Sequence, residues 1–437
     1  MTQRNVTLKN GSRICIVGGG PAGCFAAMHA QKLGAERGLE FEIIVFDIAE
    51  TPKGQIYCKG CAGILSSRLQ RGLQELNIEL DRSVIQEEIV SYVVHVPGAA
   101  FIVNKPLSEQ SVLSVYRGSH PCTKRDDIPN SLDNFFRNTV RSRGIKVLNE
   151  HVHYVEDRPS PIVVTENNVY EAALIVLAIG VNGANGPNFL YGYRYPNVVQ
   201  MLQAEIPRAS EWPTSKVIVF FNKPREVSFA AMTPKNNYAV VSVLPRQGRR
   251  VKTIKEFLEK DMGRLKQYYP KVPHFLCHCK PLIPVGMAKK YYGRNWVTVG
   301  DALTCRLYKD GIGSAYRTAR KAMEVAIIHG VSRRSFRKYY VPYCRKIAFD
   351  NIIGHILFLF IMIVTRIPLL TRVLARCIEL EDKNENGGSV ENEHFKQILW
   401  ALLTGALSYR KIFMRLMSPL SVSIFFRNFY GTFFKGR

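Results

Sequence analysis

Three glycines spaced as Gly18-x-Gly20-x-x-Gly23 are the first residues whose types and spacing indicate chemistry. In such a turn, the first glycine permits the sharp bend, the second lets a pyrophosphate approach the backbone, and the third lets a helix pack closely on a sheet. Pro21 and Ala22 complete the turn. A helix that begins here presents unpaired N–H groups and the positive end of its dipole. The pattern therefore predicts a site for the phosphates of a dinucleotide.

The residues around this turn supply the expected context. The apolar run Arg13–Val17 predicts a buried strand before it, and Cys24–Leu33 predicts a helix after it. A second strand, Phe41–Phe46, ends at Asp47. A carboxylate at that position accepts hydrogen bonds from a ribose hydroxyl and disfavours a 2′-phosphate, which argues against NADP at this site.

Two cysteine pairs form the second chemically suggestive group. Cys58-x-x-Cys61 lies in a glycine-rich loop, and Cys277-His278-Cys279 lies far along the chain. Three hypotheses stay open. One pair could cycle between dithiol and disulfide beside a redox cofactor. The four sulfurs could bind zinc or an iron–sulfur cluster. They could also be ordinary thiols, and neither pair alone establishes a metal site.

The rest of the pattern divides the chain into a discontinuous α/β unit, an inserted sheet and a helical tail. Apolar runs at Ala172–Ile179 and Trp296–Val299 predict further buried strands of the first unit. Strands at 216–221 and 238–244, followed by a helix at 253–268, predict an antiparallel sheet between them. We predict a nucleotide-binding domain over 1–185 and 281–330, a substrate domain over 186–280 and a helical region over 331–437.

Charge and hydropathy point to a membrane surface. Lys and Arg number 60 against 35 Asp and Glu, a net charge of +25, which favours anionic partners. Ile352–Thr365 is uncharged but too short to span a bilayer, so it fits a core or interfacial helix better. Arg410–Arg437 has no acidic residue and interleaves basic with aromatic side chains. This tail predicts contact with anionic lipid, although a helix that caps the core is the alternative.

The location follows from the same patterns. The polar start of the sequence, Met1–Asn10, predicts no secretory signal. We therefore expect a cytoplasmic protein that associates peripherally with membranes. No nucleic-acid recognition motif accompanies the positive charge, so we expect no nucleic-acid partner.

Several of these segments together resemble FAD-dependent oxidoreductases of the aromatic hydroxylase and geranylgeranyl reductase type. The residues that carry the resemblance are Gly18–Gly23, Asp47, Val115-Tyr116-Arg117, Leu132–Phe136, Ile175–Gly180 and Val299-Gly300-Asp301-Ala302. The similarity spans roughly residues 12–330. It implies FAD as the cofactor, and a Rossmann-like FAD-binding domain with an inserted α+β antiparallel-sheet substrate domain, here followed by the helical C-terminus.

The resemblance also implies roles for individual residues. Asp301, after Gly300, is expected to bind the ribityl chain of FAD. Gly311 and Ile312 are expected to present backbone N–H groups to the pyrimidine carbonyl of the flavin, and Arg117 is expected to contact the cofactor. Members of the geranylgeranyl reductase-like group often carry a cysteine in the loop after the second strand. Cys58 and Cys61 stand in that loop and are therefore the candidate catalytic residues. The segment 303–309 departs from the family pattern, which leaves the substrate open.

These features favour an FAD-dependent reductase that acts on double bonds of an apolar isoprenoid or lipid. Its electrons would come from an external donor, either NAD(P)H or a redox protein. An FAD-dependent monooxygenase is the first alternative, because it shares the fold. A membrane-docked electron-transfer or redox-sensing flavoprotein is the second, and the cysteine pairs motivate it.

Overall fold

The structure is a computed structural model that describes residues 7–48, 61–118, 131–156, 158–181, 188–189, 192–221, 226–246, 253–383 and 393–434. Its strands are β1 (Arg13–Val17), β2 (Glu42–Phe46), β3 (Ile64–Leu65), β4 (Ile85–Ile89), β5 (Ser91–Val96), β6 (Ala99–Asn104), β7 (Val112–Val115), β8 (Lys146–Leu148), β9 (Val152–Glu156), β10 (Ile162–Thr165), β11 (Val169–Glu171), β12 (Leu174–Leu177), β13 (Asn188–Phe189), β14 (Val198–Gln200), β15 (Leu202–Pro207), β16 (Lys216–Phe221), β17 (Val227–Lys235), β18 (Tyr238–Pro245), β19 (Cys277–Cys279), β20 (Leu282–Pro284) and β21 (Trp296–Thr298).

The helices of the described residues concentrate at the C-terminus. They are α1 (Pro21–Ala35), α2 (Ser67–Glu75), α3 (Leu132–Ser142), α4 (Ile254–Leu265), α5 (Gly311–His329), α6 (Arg333–Ser335), α7 (Val341–Val364), α8 (Pro368–Lys383), α9 (His394–Thr404), α10 (Tyr409–Leu416) and α11 (Pro419–Phe434). The mixed α/β architecture that the sequence predicts is confirmed.

A five-stranded parallel sheet, in the order β21-β12-β1-β2-β8, is the frame of the first unit. Its pairings place Val17 beside both Phe46 and Leu177, and Leu177 beside Thr298. Four strands therefore end at the same edge, which is where ligands bind in open α/β sheets. Helices α1 and α5 pack together on this sheet, with the Phe25 and Tyr316 rings 5.3 Å apart.

A seven-stranded sheet, in the order β19-β15-β18-β17-β16-β5-β6, forms the second unit. Its neighbours are antiparallel except for β16 and β5, which run parallel. Strands β5 and β6 belong to this sheet, although they lie within the 1–185 segment that the sequence assigns, with inserted strands, to the nucleotide-binding domain. The difference arises because strand pairing is a long-range choice that the local hydrophobic pattern does not encode.

The two faces of this sheet pack against different helices. One face, with Ile218 and Phe220, covers Phe257 of α4. The other face packs against the C-terminal helices, where the Tyr92 ring of β5 lies 5.5 Å from the Trp400 ring of α9. The C-terminal region is therefore an integral layer of the fold.

Helix α7 extends well beyond the apolar run seen in the sequence. It has 24 residues, and with the helical turns before it forms a continuous helix over Arg333–Val364 that is long and apolar enough to cross a membrane. Only 22% of its most apolar window is buried inside the protein. Most of this helix therefore lacks a protein partner in the described part of the chain.

Candidate functional site

The glycine turn between β1 and α1 has a backbone that only glycine can form at two positions. Gly18 has φ +105°, and a β-carbon there would lie 2.6 Å from the Ala178 carbonyl oxygen. A β-carbon on Gly23 would lie 1.8 Å from the Gly18 carbonyl oxygen. These contacts hold the start of α1 tightly against the ends of β1 and β12.

Gly20 has a different environment. Its φ of −71° suits any residue, and a β-carbon there would find only the Arg117 Nη2 atom, at 3.9 Å. Gly20 is the N-cap of α1, which has no side-chain cap and no acidic residue in its first turn. The first N–H groups of α1 therefore receive neither a side-chain cap from Gly20 nor an anionic side chain from the first turn of the helix.

Arg117 reaches this turn from the end of β7. Its Nε and Nη2 atoms donate to the two carboxylate oxygens of Asp133 at 3.0 and 3.1 Å. The Asp133 side chain is 1% exposed and that of Arg117 19%. Burial alone would lower the pKa of Arg117, but the charges of Asp133, Cys61 and Asp301 raise it above its ordinary value. The guanidinium is thus a fixed cation beside the glycine turn.

Asp47 follows β2, as the sequence predicts, and packs against Gly19, whose β-carbon would lie 2.6 Å from the Asp47 Cβ. Its Oδ2 atom accepts a hydrogen bond of 3.0 Å from Arg137 Nη1, and Arg137 is 2% exposed. Arg137 is not predicted from the sequence. Only the helical placement of α3 brings it here, and no local motif marks it.

Asp301 comes to the same edge from the end of β21. Gly300 has φ +67° and packs on α1, with its β-carbon position 2.6 Å from Ala22 Cβ. Its N–H donates to Thr318 Oγ1 at 2.9 Å. Burial raises the pKa of Asp301, an effect that the nearby Arg117 charge partly offsets. Gly300 thus brings Asp301 close to the start of α1, where the charge of Arg117 acts on its carboxylate.

Helix α5 begins beside Asp301 with Gly311 and Ile312. The β-carbon position of Gly311 lies 3.9 Å from Asp301 Oδ1, with no closer contact. The N-cap, Asp310, has a left-handed backbone and makes no side-chain cap to the helix. Two helix N-termini and the half-buried Asp301 carboxylate thus lie at the edge of the parallel sheet. Such an arrangement can bind an anion and polar hydroxyl groups together.

Of the two cysteine pairs, the structure describes Cys61, Cys277 and Cys279. Cys58 lies outside the described residues. Cys61 is half-buried and accepts a 3.3 Å hydrogen bond from the Gly63 N–H. Cys277 lies opposite Glu205 in the sheet and contributes to raising the pKa of Tyr116, after burial and Glu205. Cys61 thus affects the pKa of Arg117, and Cys277 affects the pKa of Tyr116, the residue before it.

A buried polar cluster next to these thiols was not predicted. The Tyr116 hydroxyl donates to the Glu205 carboxylate, and the Lys235 ammonium lies 4.4 Å from the Tyr116 ring centre. Lys235 also donates to the Val115 carbonyl oxygen at 2.5 Å and is 1% exposed. Burying such ionisable groups is costly unless they are paired, which makes the cluster a candidate part of the site.

Comparisons with known proteins support the fold. No protein-family model matches the sequence, and no curated protein matches it. A geranylgeranyl bacteriochlorophyll reductase-like protein from Thermoplasma acidophilum is similar in structure, with 15% identity, a TM-score of 0.59, and coverage of 98% of this chain and 97% of the other.

Two further solved structures are similar to this chain to about the same degree. A flavoprotein/dehydrogenase from Cytophaga hutchinsonii has 13% identity, a TM-score of 0.59, and coverage of 90% of this chain and 92% of its own. A tryptophan 6-halogenase from Streptomyces toxytricini has 13% identity, a TM-score of 0.58, and coverage of 85% of each chain. The resemblance in fold inferred from the sequence motifs is confirmed.

Proposed function

We propose that this chain is an FAD-dependent oxidoreductase whose cofactor lies along the carboxyl edge of the parallel sheet. The convergence of the α1 and α5 N-termini with Arg117 and Asp301 is the observation that carries the proposal. The solved structures with this fold include proteins named as a flavoprotein and as flavin-dependent enzymes.

The residues at this edge fit FAD in shape and in charge. Among the described residues, no atom lies within 3.8 Å of the β-carbon positions of Gly20, Gly180 and Gly311. The N-terminus of α1 and Arg117 would hold the pyrophosphate, and Asp47 a ribose hydroxyl through the carboxylate oxygen that Arg137 does not engage. Asp301 would hold the ribityl chain, and the Gly311 and Ile312 N–H groups would face the flavin ring.

We infer that the substrate is an apolar isoprenoid or lipid, which an external donor, NAD(P)H or a redox protein, would reduce through the cofactor. Bound FAD supplies two-electron transfer to a double bond, chemistry that no side chain provides. The neighbouring polar cluster of Tyr116, Glu205 and Lys235 would orient the substrate and exclude water. Cys61, together with Cys58, remains our candidate redox-active thiol, because it lies close enough to Arg117 for its charge to affect that guanidinium.

The apolar outer surface of the C-terminal helices supports a lipid substrate. Large apolar side chains exposed on α7, α10 and α11 are Phe349, Ile352, Ile356, Leu359, Phe360, Ile363, Phe413, Met414, Leu420, Val422, Phe426 and Tyr430. We call this set the C-terminal apolar surface. Exposed Arg366, Arg372, Arg410, Lys411 and Arg415 lie along the same segment.

This combination fits peripheral docking on an anionic bilayer at the cytoplasmic side. Apolar side chains would enter the acyl boundary while the basic residues meet lipid phosphates. Helix α7 buries Leu357 and Phe358, at 2% and 8% exposure, against the core. One face of the helix is therefore committed to the protein, which favours a helix lying in the interface.

A substrate assay tests the proposed reaction directly. The FAD-loaded protein is reduced anaerobically and mixed with prenyl lipids, and the loss of double bonds is followed by mass spectrometry. We expect mass increases of about two units for each saturated bond, with reoxidation of the flavin. Reduced protein that saturates no prenyl lipid would contradict this substrate class while leaving FAD binding intact.

A monooxygenase is the second candidate. The 2-methyl-3-hydroxypyridine-5-carboxylic acid oxygenase, whose structure is similar with a TM-score of 0.53 and 16% identity, favours it. Oxygen-dependent flavin oxidation that releases a hydroxylated product would support this candidate. The anaerobic assay above separates the two, because saturation of a double bond needs no oxygen.

A further inference from the structure

Arg306 is a buried cation that has no carboxylate partner among the described residues. It is 4% exposed, and its Nη1 atom donates to the Gly405 carbonyl oxygen at 2.5 Å. Its guanidinium carbon lies 4.2 Å from the Tyr409 ring centre. Its Nε and Nη2 atoms have no hydrogen-bond acceptor among the described residues. Leaving such donors unpaired in the interior is costly, so the arrangement indicates an additional ligand.

A second cation lies close by. Lys309 is half-buried, and its ammonium is 5.3 Å from the Phe229 ring centre. Burial, and then the Arg306 charge, lower the pKa of Lys309 to about 8. No carboxylate within ion-pair distance of either residue is found in the described chain. Within the part of the chain that the structure describes, the two positive charges therefore lack a negative counterpart.

Two acidic residues of the neighbouring segments are already engaged. Asp310 accepts from Arg317 Nη1 at 2.7 Å and from the Ser66 hydroxyl at 2.9 Å. Asp350 accepts from the Tyr409 and Arg410 N–H groups at 3.0 and 2.9 Å. Neither side chain can neutralise Arg306 or Lys309 without breaking these contacts. An anion from outside the chain can do so.

The segment that carries both cations is attached to the inner side of α7. The Leu307 N–H donates to Asn351 Oδ1 at 3.0 Å, and the Tyr308 ring lies 5.0 Å from the Phe358 ring. The next residues of the helix, Leu359 and Phe360, are 57% and 48% exposed. The cations thus lie beneath the helix that carries much of the C-terminal apolar surface.

We propose that Arg306 and Lys309 form a binding site for a phosphate group, supplied either by a lipid headgroup or by a free phosphate compound. The fork of an arginine and the point charge of a lysine together suit the tetrahedral oxygens of a phosphate. The site does not depend on the flavin reaction, and phosphate binding can succeed or fail independently of it.

Phosphate titration of the FAD-loaded full chain tests the site. Inorganic phosphate and dihexanoyl phosphatidic acid are titrated by calorimetry at constant ionic strength, with chloride as the reference anion. Saturable binding of at least one of them is expected. Tighter binding of phosphatidic acid assigns the site to a headgroup, and equal or tighter binding of inorganic phosphate assigns it to a free compound.

Three variants make the test specific. Lys309→Gln should weaken binding about tenfold or more, as expected for the loss of a charge-assisted hydrogen bond. Arg306→Lys keeps the charge but loses the fork, and it should also weaken binding. Lys289→Gln removes an exposed lysine elsewhere and should bind as the parent does.

Two results would overturn the site. One is binding to the parent no tighter than that of chloride. The other is a Lys309→Gln variant that binds phosphate as well as the parent. Arg306 is buried, so the Arg306→Lys variant can fail to fold. In that case the Lys309→Gln variant alone decides, because Lys309 is only half-buried and its replacement is tolerated more easily.

Discussion

Arg117 and Asp133 form a forked ion pair, with Nε to Oδ1 at 3.0 Å and Nη2 to Oδ2 at 3.1 Å. The same Nη2 atom lies 3.9 Å from the position that a β-carbon on Gly20 would take. One carboxylate thus fixes a cation at the edge of the glycine turn. The two residues are 16 positions apart in the chain. Their ion pair places the positive charge of Arg117 beside the proposed phosphate site.

Gly20→Ala should fold normally and lose FAD affinity. A methyl group there meets no backbone atom, but it fills the space through which a pyrophosphate approaches. We expect a dissociation constant at least about tenfold higher, measured by flavin fluorescence quenching. Gly286→Ala is the matched control, since its β-carbon makes ordinary contact with Asn197 at 3.4 Å. Equal FAD affinity in both variants would remove the turn from the cofactor site.

Asp133→Asn should destabilise the protein strongly, because it leaves Arg117 partly buried without its counter-charge. Breaking a buried ion pair in this way typically lowers the free energy of unfolding by about 3–5 kcal/mol. Because the Arg117 side chain is partly exposed, we expect a loss near the lower end of that range. Denaturant unfolding measures the change. Glu42→Gln breaks the exposed Arg13–Glu42 pair, 2.8 Å long, and should cost less than about 1 kcal/mol. Similar losses in both variants would contradict the special position of Asp133.

FAD affinity should fall at low pH through Asp301. Its pKa is raised by burial, so the carboxylate gains a proton at a higher pH than an ordinary aspartate, near 3.9. Protonation removes an acceptor for ribityl hydroxyls, and binding weakens as the pH falls through that raised pKa. Asp301→Asn should bind weakly without this pH dependence, while Asp81→Asn, on the surface, should keep the parent curve. An identical pH profile for Asp301→Asn and the parent would exclude the role.

The sequence predicted the parts of the site that are local in the chain. The strand, glycine turn, helix and Asp47 follow one another within a single βαβ unit, and hydrophobic pattern and glycine spacing report on such neighbours. The role expected for Asp301 came from the resemblance to a known family and not from the local pattern alone. The common feature of these candidate residues is that each follows the end of its own strand.

The contacts that the sequence did not predict join distant segments. Arg137 meets Asp47 across 90 residues, Tyr116 meets Glu205 across 89, and Arg306 meets Gly405 across 99. An isolated arginine or tyrosine carries no signal of its future partner, which only the packing of complete elements decides. The length of α7 was likewise underestimated, because charged residues in its first half interrupt the apolar run that the sequence shows.

The C-terminal apolar surface should bind anionic vesicles. Leu359→Glu combined with Phe360→Glu places charge on the exposed side of α7, which opposes insertion into the acyl region. We expect the double variant to remain in the supernatant when phosphatidylserine vesicles are sedimented, and the parent to sediment with them. Val169→Glu alters a 64% exposed valine far from these helices in sequence and should sediment like the parent. If the parent protein does not sediment with the vesicles, the proposed docking on an anionic bilayer is contradicted.

Cys61 should be alkylated by iodoacetamide faster than Cys24. Burial raises the pKa of the Cys24 thiol well above its usual range, whereas Cys61 is only half-buried at the mouth of the site. Bound FAD should slow the reaction of Cys61, which peptide mass spectrometry detects. Alkylation of Cys61 at the same rate with and without FAD would separate this thiol from the cofactor.

The flavin content of the purified full-length protein tests the central proposal most directly. After added FAD and removal of the unbound excess, the visible spectrum and the FAD released by denaturation give the ratio of cofactor to chain. We expect a yellow protein with about one FAD per chain, and a markedly lower ratio in Gly20→Ala than in Gly286→Ala. A folded protein that stays colourless in excess FAD would contradict the proposed cofactor and the reaction built on it.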